Sequence, residues 1–200
     1  MAYTITPYER KGSGNITGSG TTVTAANAAA FRNVAVGATF KSGGNTRTVV
    51  SKTSETVLVV NSSLSVTGKP WTYQNPALTL SGIYYLKHTK TDKPKLTPIA
   101  LKDADSAWAG ASSGVYREIQ ISGWIANATL ADREKNITIL EGLLDGTQTR
   151  HGTCVFAEES PARSLYVYIG SATWQIQRDK PKWLDVMINM TECKNRGSLS

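Results

Sequence analysis

The sequence predicts a mainly β protein, a β-sandwich or barrel with one flanking α-helix and a small β-barrel domain at its N-terminal side. Residues 115–126, 165–177 and 183–193 alternate apolar and polar side chains with the two-residue period of a strand. One segment, 130–145, repeats its apolar residues at the 3.6-residue period of a helix lying on a sheet. The first 76 residues are rich in Gly, Ser, Thr, Val and Asn, poor in acids, and carry short apolar runs between turn residues.

In the N-terminal unit, Ala25 to Ala30 reads as a helical turn and Val34 to Phe40 leads into a strand. Ser42-Gly-Gly-Asn45 reads as a hairpin turn, Arg47 to Lys52 as the returning strand and Thr56 to Val60 as a further one. Short strands joined by tight turns imply a barrel or sandwich of about 60 residues. Asn75-Pro76 marks its end, because proline restricts the preceding residue and the composition changes there. The expected domains are 1–76 and 77–200.

Ile83 to Leu86 reads as a strand, and 86–114 as a long polar connection with prolines and glycines. Structureless connections longer than about 15 residues are commonly functional. This one carries Trp108, suited either to an interface or to folding back over a sheet edge. In the strand that follows, Val115, Ile119, Ile121 and Ile125 oppose Glu118, Gln120 and Ser122.

The helix places Ile137, Ile139, Leu140, Leu143 and Leu144 on one half and Glu134, Lys135, Thr138, Glu141 and Asp145 on the other. Thr129 with Asp132 resembles a capping box, and Gly146 supplies a left-handed terminator. In the last hairpin, Leu165, Val167 and Ile169 oppose Tyr166 and Tyr168. Leu184, Val186, Ile188 and Met190 alternate with Asp185, Met187 and Asn189. Residues 178–182, polar and containing Pro181, read as its tip.

A hydrophobic content of 40% over 200 residues suffices for a core. No stretch approaches the roughly 18 apolar residues of a membrane span, and the N-terminus lacks the pattern of a cleaved signal, so export and anchorage are not expected. The net charge of +7 and pI near 9.4 come from basic residues spread along the chain. Their densest group is Lys87, Lys90, Lys93 and Lys95, read as a solvated loop in preference to a phosphate-contacting one. Cys154 and Cys193 sit at the ends of two expected strands, with free thiols the default. His88 and His151 have no second ligand at metal spacing, and the five Asn-x-Ser/Thr sequons are read as composition.

No phosphate-binding glycine loop or nucleophile elbow is present. Ser13, Ser19 and Ser42 belong to turns, and Glu158 and Glu159, adjacent on a strand, point apart. Glu118 and Asp185 are the one carboxylate pair that tertiary pairing might bring to glycosidase spacing. Trp71, Trp108, Trp124, Trp174 and Trp183 offer a sugar-stacking face, with packing the preferred use of most of them. No catalytic, metal or cofactor residue is assigned.

Three stretches, NATLADREKNITILEGLLDG at 127–146, YVYIG at 166–170 and KPKWLDVMINM at 180–190, resemble the ring-forming tail proteins of tailed bacteriophages. The nearest in character are distal tail, baseplate hub and tail-tube proteins. Residues 34–60 are similar to a small β-domain appended to many phage structural proteins. The resemblance implies a tail-tube-like fold and a non-enzymatic virion protein, assembled in the host cytoplasm. It would form a homo-oligomeric ring around the DNA channel, against neighbouring tail or baseplate proteins, with DNA passing without sequence-specific binding. On that reading the interface draws on Lys87, Lys90, Lys93, Lys95 and Trp108 of the arm 86–114, and on Lys180, Lys182 and Trp183 at the last hairpin. The alternative is a carbohydrate-binding or host-attachment module using the N-terminal domain and exposed aromatics.

Overall fold

The computed structural model describes residues 3–91, 116–144, 153–159 and 162–192. In chain order they form β1 (Tyr3–Pro7), β2 (Arg10–Lys11), β3 (Ile16–Ser19), β4 (Thr22–Ala25), β5 (Thr39–Ser42), β6 (Asn45–Ser54), β7 (Val57–Val60) and β8 (Val66–Lys69). There follow β9 (Trp71–Gln74), β10 (Leu78–Leu80), β11 (Gly82–Thr91), β12 (Tyr116–Ala126), the helix α1 (Leu130–Leu143), β13 (Thr153–Glu159), β14 (Ala162–Gln177) and β15 (Lys180–Glu192). The protein is mainly β, with two antiparallel sheets and a single helix among the described residues.

The eight-stranded sheet runs β2-β9-β5-β6-β7-β4-β3-β8 and is built from residues 10–74. Its central hairpin turns at Gly43 and Gly44, with φ of 55° and 78°. Two successive positive φ values match the right-handed twist of the flanking strands, and glycine adopts them without a Cβ clash. The core gathers Phe31, Phe40, Trp71 and Tyr73, with Phe40 stacked on Trp71 at 5.3 Å and Phe31 edge-on to Trp71 at 5.0 Å. Phe31 arrives on a run of turns, not on the helical turn expected at Ala25 to Ala30. Ala25 ends β4, and its N–H and that of Phe31 are drawn to the Thr56 and Glu55 carbonyls, which competes with local helical bonding.

The seven-stranded sheet runs β10-β1-β13-β14-β15-β12-β11. Its second member is the N-terminal strand, with Ile5 opposite both Leu78 and Phe156. The sheet therefore starts before the small unit and resumes after it. The unit, residues 10–74, is an insertion between β1 and β10, whereas the expected boundary grouped residues 1–76. Alternation of Tyr3 and Ile5, both buried, decides the placement, because those side chains fill the other core.

The ends of this sheet, β10 and β11, are joined through Ser81 alone, so the sheet curls until its two ends adjoin. Ser81 ties the corner: its N–H donates to the Trp124 carbonyl at 2.8 Å and its Oγ accepts from the Ala126 N–H at 2.9 Å. The enclosed core holds Ile119, Ile121, Phe156, Val167, Leu184, Val186 and Ile188. A bulge at Gly170 shifts the phase of β14, so Val167 and Ile169 face inward before it and Ala172 after it.

The helix lies on β14, β15 and β10 through Ile139, Leu140 and Leu143. The capping box forms as expected, with the Thr129 side chain accepting from the Asp132 N–H at 3.0 Å and the Asp132 carboxylate accepting from the Thr129 N–H at 3.1 Å. The helix stops at Leu143. Leu144 caps it and is exposed, contrary to its expected inward position, while Asp145 and Gly146 lie outside the described residues.

Two expected loops are strand. Residues 86–91 continue β11 in register with β12, from Leu86 opposite Ile121 to Thr91 opposite Tyr116. The final hairpin turns on Arg178 and Asp179 alone, and Lys180, Pro181 and Lys182 begin β15.

Candidate functional site

An extended feature of the described surface suits a partner: the outer side of β11, with the face of β12, β14 and β15 beside it. Among the described residues no strand pairs with the outer side of β11, which is ten residues long, whereas β10 at the other end has three. Such a strand presents a row of unpaired N–H and C=O groups.

Two glycines bring this edge close. A Cβ at Gly82 would meet the Trp124 ring at 2.2 Å, and one at Gly123 would meet the Gly82 carbonyl oxygen at 2.2 Å. The resulting contact and a bulge between Ile83 and Tyr85 turn Tyr84 outward, 61% exposed, with its ring 4.8 Å from that of Trp124. The Tyr84 hydroxyl donates to Asp185 Oδ1 at 3.1 Å, and Gln177 Nε2 donates to the same oxygen at 2.6 Å. An aromatic pair with a carboxylate and an amide thus stands at the corner of the open edge. Farther along the same face, Gly170 leaves a hollow of about 300 Å³ lined by Lys87, Glu118, Gln120, Asn189 and Thr191 among others.

The residues expected at an interface divide between two places. Lys87 is exposed on β11, on the face it shares with Gln120. Lys90 belongs to the same strand, in register with Arg117. Lys180, Lys182 and Trp183 lie together at the start of β15. There Lys180 Nζ stands 3.8 Å over the Trp183 ring and Lys182 Nζ donates to the Ala128 carbonyl at 2.9 Å. Arg133 and Asn127 also hold this segment, donating to the Pro181 and Lys182 carbonyls at 2.7 and 2.6 Å. It is a braced start of a strand, not a projecting tip. Lys93, Lys95, Trp108, Cys193 and His151 lie outside the described residues.

Inside the curled sheet, His88 Nε2 of β11 meets Glu158 Oε1 of β13 at 2.8 Å. The glycosidase pair does not form. Glu118 is opposite Thr191 and Asp185 opposite Trp124, six positions apart along paired strands and so about 20 Å, against the roughly 5 to 9.5 Å that such chemistry uses. The aromatic residues of the small unit, Phe31, Phe40, Trp71 and Tyr73, are at most 3% exposed, so it has no stacking face. Trp124, Trp174 and Trp183 are the partly exposed tryptophans described, and Trp174 packs one side against the core.

Compared with known proteins, the chain matches no family model, no curated protein and no solved structure. No group of three His, Cys, Asp or Glu that could hold a metal occurs among the described residues, and none of their helices is long and apolar enough to cross a membrane.

Between the small unit and α1 lies a second cleft, lined by Arg32, Asn33, Lys52, Glu55, Thr138 and Glu141. Arg32 pairs with Glu55 at 3.2 Å, and Lys52 donates to the Arg32 carbonyl at 2.9 Å. Burial holds the Lys52 ammonium below the usual lysine range. These bonds lie within the small unit, and the Glu141 carboxylate of α1 acts on Arg32 and Lys52 only through its charge across the cleft.

Proposed function

We propose that the chain is a non-enzymatic structural subunit that assembles edge to edge into a homo-oligomeric ring. This is the behaviour of the phage tail proteins it resembles, with a curled, tail-tube-like β-barrel as the ring-forming unit. The observation that carries the reading is the ten-residue open edge of β11 beside a three-residue β10. A long unprotected edge is an aggregation hazard unless a partner strand covers it, and cyclic repetition covers every copy. The virion tail location, a DNA channel and contacts with tail or baseplate proteins belong to the same proposal and rest on the sequence resemblance.

The test is the mass of the purified protein over a concentration series by light scattering, with negative-stain imaging, together with a proline scan from Tyr85 to Thr89. Alternate residues of an edge strand point their N–H outward. Proline at those positions leaves a folded monomer that does not assemble, and proline at the others disrupts the fold. Rings that persist in every folded variant would remove the edge from the interface.

One observation favours a second reading, glycan attachment: the outward Tyr84–Trp124 pair with Asp185 and Gln177 beside it. The reading moves from the small unit, whose aromatics are buried, to this corner. Saturable glycan binding lost in Trp124→Ala, with the mass distribution unchanged, supports attachment over assembly.

A further inference from the structure

The basic residues are spread along the chain, but the acids are not. Residues 9–75 hold seven Lys and Arg against two acids, Glu9 and Glu55, while the rest of the chain holds fifteen against thirteen. The small unit with its flanks thus carries +5 of the net +7. Both acids are already engaged, Glu9 by Lys41 Nζ at 2.7 Å and Glu55 by Arg32. Arg47 and Lys52 donate to backbone carbonyls, at 2.7 Å to Ser63 and 2.9 Å to Arg32, and Glu55 and Glu141 offset part of the Lys52 charge.

The exposed part of this charge is gathered by the fold. Lys11 of β2 and Lys41 of β5 are both register partners of Thr72 on β9, which sets them on one face about 10 Å apart. Lys69 ends β8 and is followed at once by Pro70 and β9, and the Ser42 Oγ donates to the Pro70 carbonyl at 2.9 Å, fixing that corner beside β5. All three lysines are exposed near the β8–β9 corner, and the Glu9 carboxylate, held by Lys41 and the Thr72 hydroxyl, shares that face, which keeps a net positive charge.

We propose that this face of the small unit binds the phosphate backbone of a double-stranded nucleic acid without reading its sequence. A net positive field on a small rigid unit draws a polyanion, and lysines on a fixed sheet contact phosphates as point charges. The four aromatic residues of the unit are buried, so it lacks the stacking platforms that single strands require. It has no helix to enter a major groove, so the contacts position without specifying. The proposal is independent of ring assembly and is tested in solution on the intact chain.

The experiment is fluorescence anisotropy of a labelled 20-base-pair duplex across a salt series. Binding is expected to be alike for unrelated sequences, with log K falling linearly in log salt. Lys11→Gln/Lys41→Gln/Lys69→Gln is expected to weaken binding about tenfold or more at low salt and to flatten the slope by about 0.9 for each of Lys11 and Lys69 and by less for Lys41, whose charge Glu9 already shares. Lys11→Gln/Lys69→Gln, which keeps the Lys41–Glu9 pair and so protects against misfolding, shows most of that change in slope. Arg117→Gln/Arg178→Gln on the other sheet leaves affinity unchanged. Any one of three results overturns the proposal: no binding at 50 mM salt (about the low end of the range where such contacts dominate), a loss in the Arg117/Arg178 variant equal to that in the Lys11/Lys69 variant, or polyglutamate displacing the duplex at equal charge.

Discussion

His88 and Glu158 meet at 2.8 Å although three strands separate β11 from β13 in the sheet. The contact exists because the sheet curls, and it pins the open edge strand to the wall facing it. Glu158 is 1% exposed at its side chain and His88 24%. His88→Ala leaves a buried carboxylate without its imidazole. Losing a polar partner of a buried group costs about 1 to 3 kcal/mol, and the partial exposure of His88 puts the expected loss in the lower half of that range. Chemical denaturation measures it. A loss under about 0.5 kcal/mol would mean that water replaces the imidazole and that the curl does not depend on the pair.

Leu140 is fully buried under α1, where the helix crosses β14 and β15. Leu140→Ala removes three buried carbons and leaves a void that packed sheet residues cannot refill. The expected cost is about 2 to 5 kcal/mol. Leu144→Ala, one turn on and exposed, should cost less than about 0.5 kcal/mol. Equal costs at the two sites would assign the helix face wrongly.

These two residues also mark what the sequence revealed. Wherever an element carries its own period, the inward residues were legible: Leu184, Val186, Ile188 and Met190 are all buried, as are Ile139, Leu140 and Leu143. What stayed hidden is non-local. Tyr3 and Ile5 alternate correctly, but nothing in five residues names the sheet they join. The extension of β11 was concealed because its inward side includes His88, which finds Glu158 only after folding. The open side of β11 among the described residues is a property of strand order and leaves no mark on any one segment. The charge imbalance could be counted from the chain, yet only the insertion topology makes residues 10–74 a unit that displays it.

Asn75, at the expected boundary, bonds back to the small unit. It is buried, its Nδ2 donates to the Asn33 carbonyl at 2.8 Å and its Oδ1 accepts from the Ala35 N–H at 3.0 Å. Ala35 itself lies in the core of the seven-stranded sheet. Asn75→Ala leaves both backbone groups without these bonds, at an expected cost of about 2 to 4 kcal/mol. Limited proteolysis should then cut near residues 75–77 faster than in the parent protein. Unchanged cutting would show that the cleft around Arg32 and Lys52 holds the unit in place without Asn75.

Cys154 is enclosed by the core, and burial pushes its thiol up to about 12. Since the thiolate is the reactive form, at pH 8 the folded protein should resist alkylation. In a Cys193→Ser background, labelling of Cys154 is expected only as denaturant unfolds the chain, with a midpoint matching that seen by fluorescence. Fast labelling without denaturant would mean that β13 opens locally.

Glu9 gives the fold a predictable acid limb. Hydrogen bonds from Lys41 and Thr72 stabilise its charged form, so its carboxyl lies below the ordinary 4.5 in the folded state. A group lowered on folding adds stability above its unfolded value, and that contribution is lost as pH falls through the folded value. Glu9→Gln should therefore be less stable than the parent at pH 7, with the difference shrinking below about pH 4.5 and vanishing in stronger acid. Denaturant midpoints at pH 7, 5, 4 and 3 follow this directly. Parallel pH profiles for the two proteins would show that the Lys41 and Thr72 bonds to Glu9 do not persist in solution. They would also free Lys41 to add its whole charge to the basic face beside Lys11.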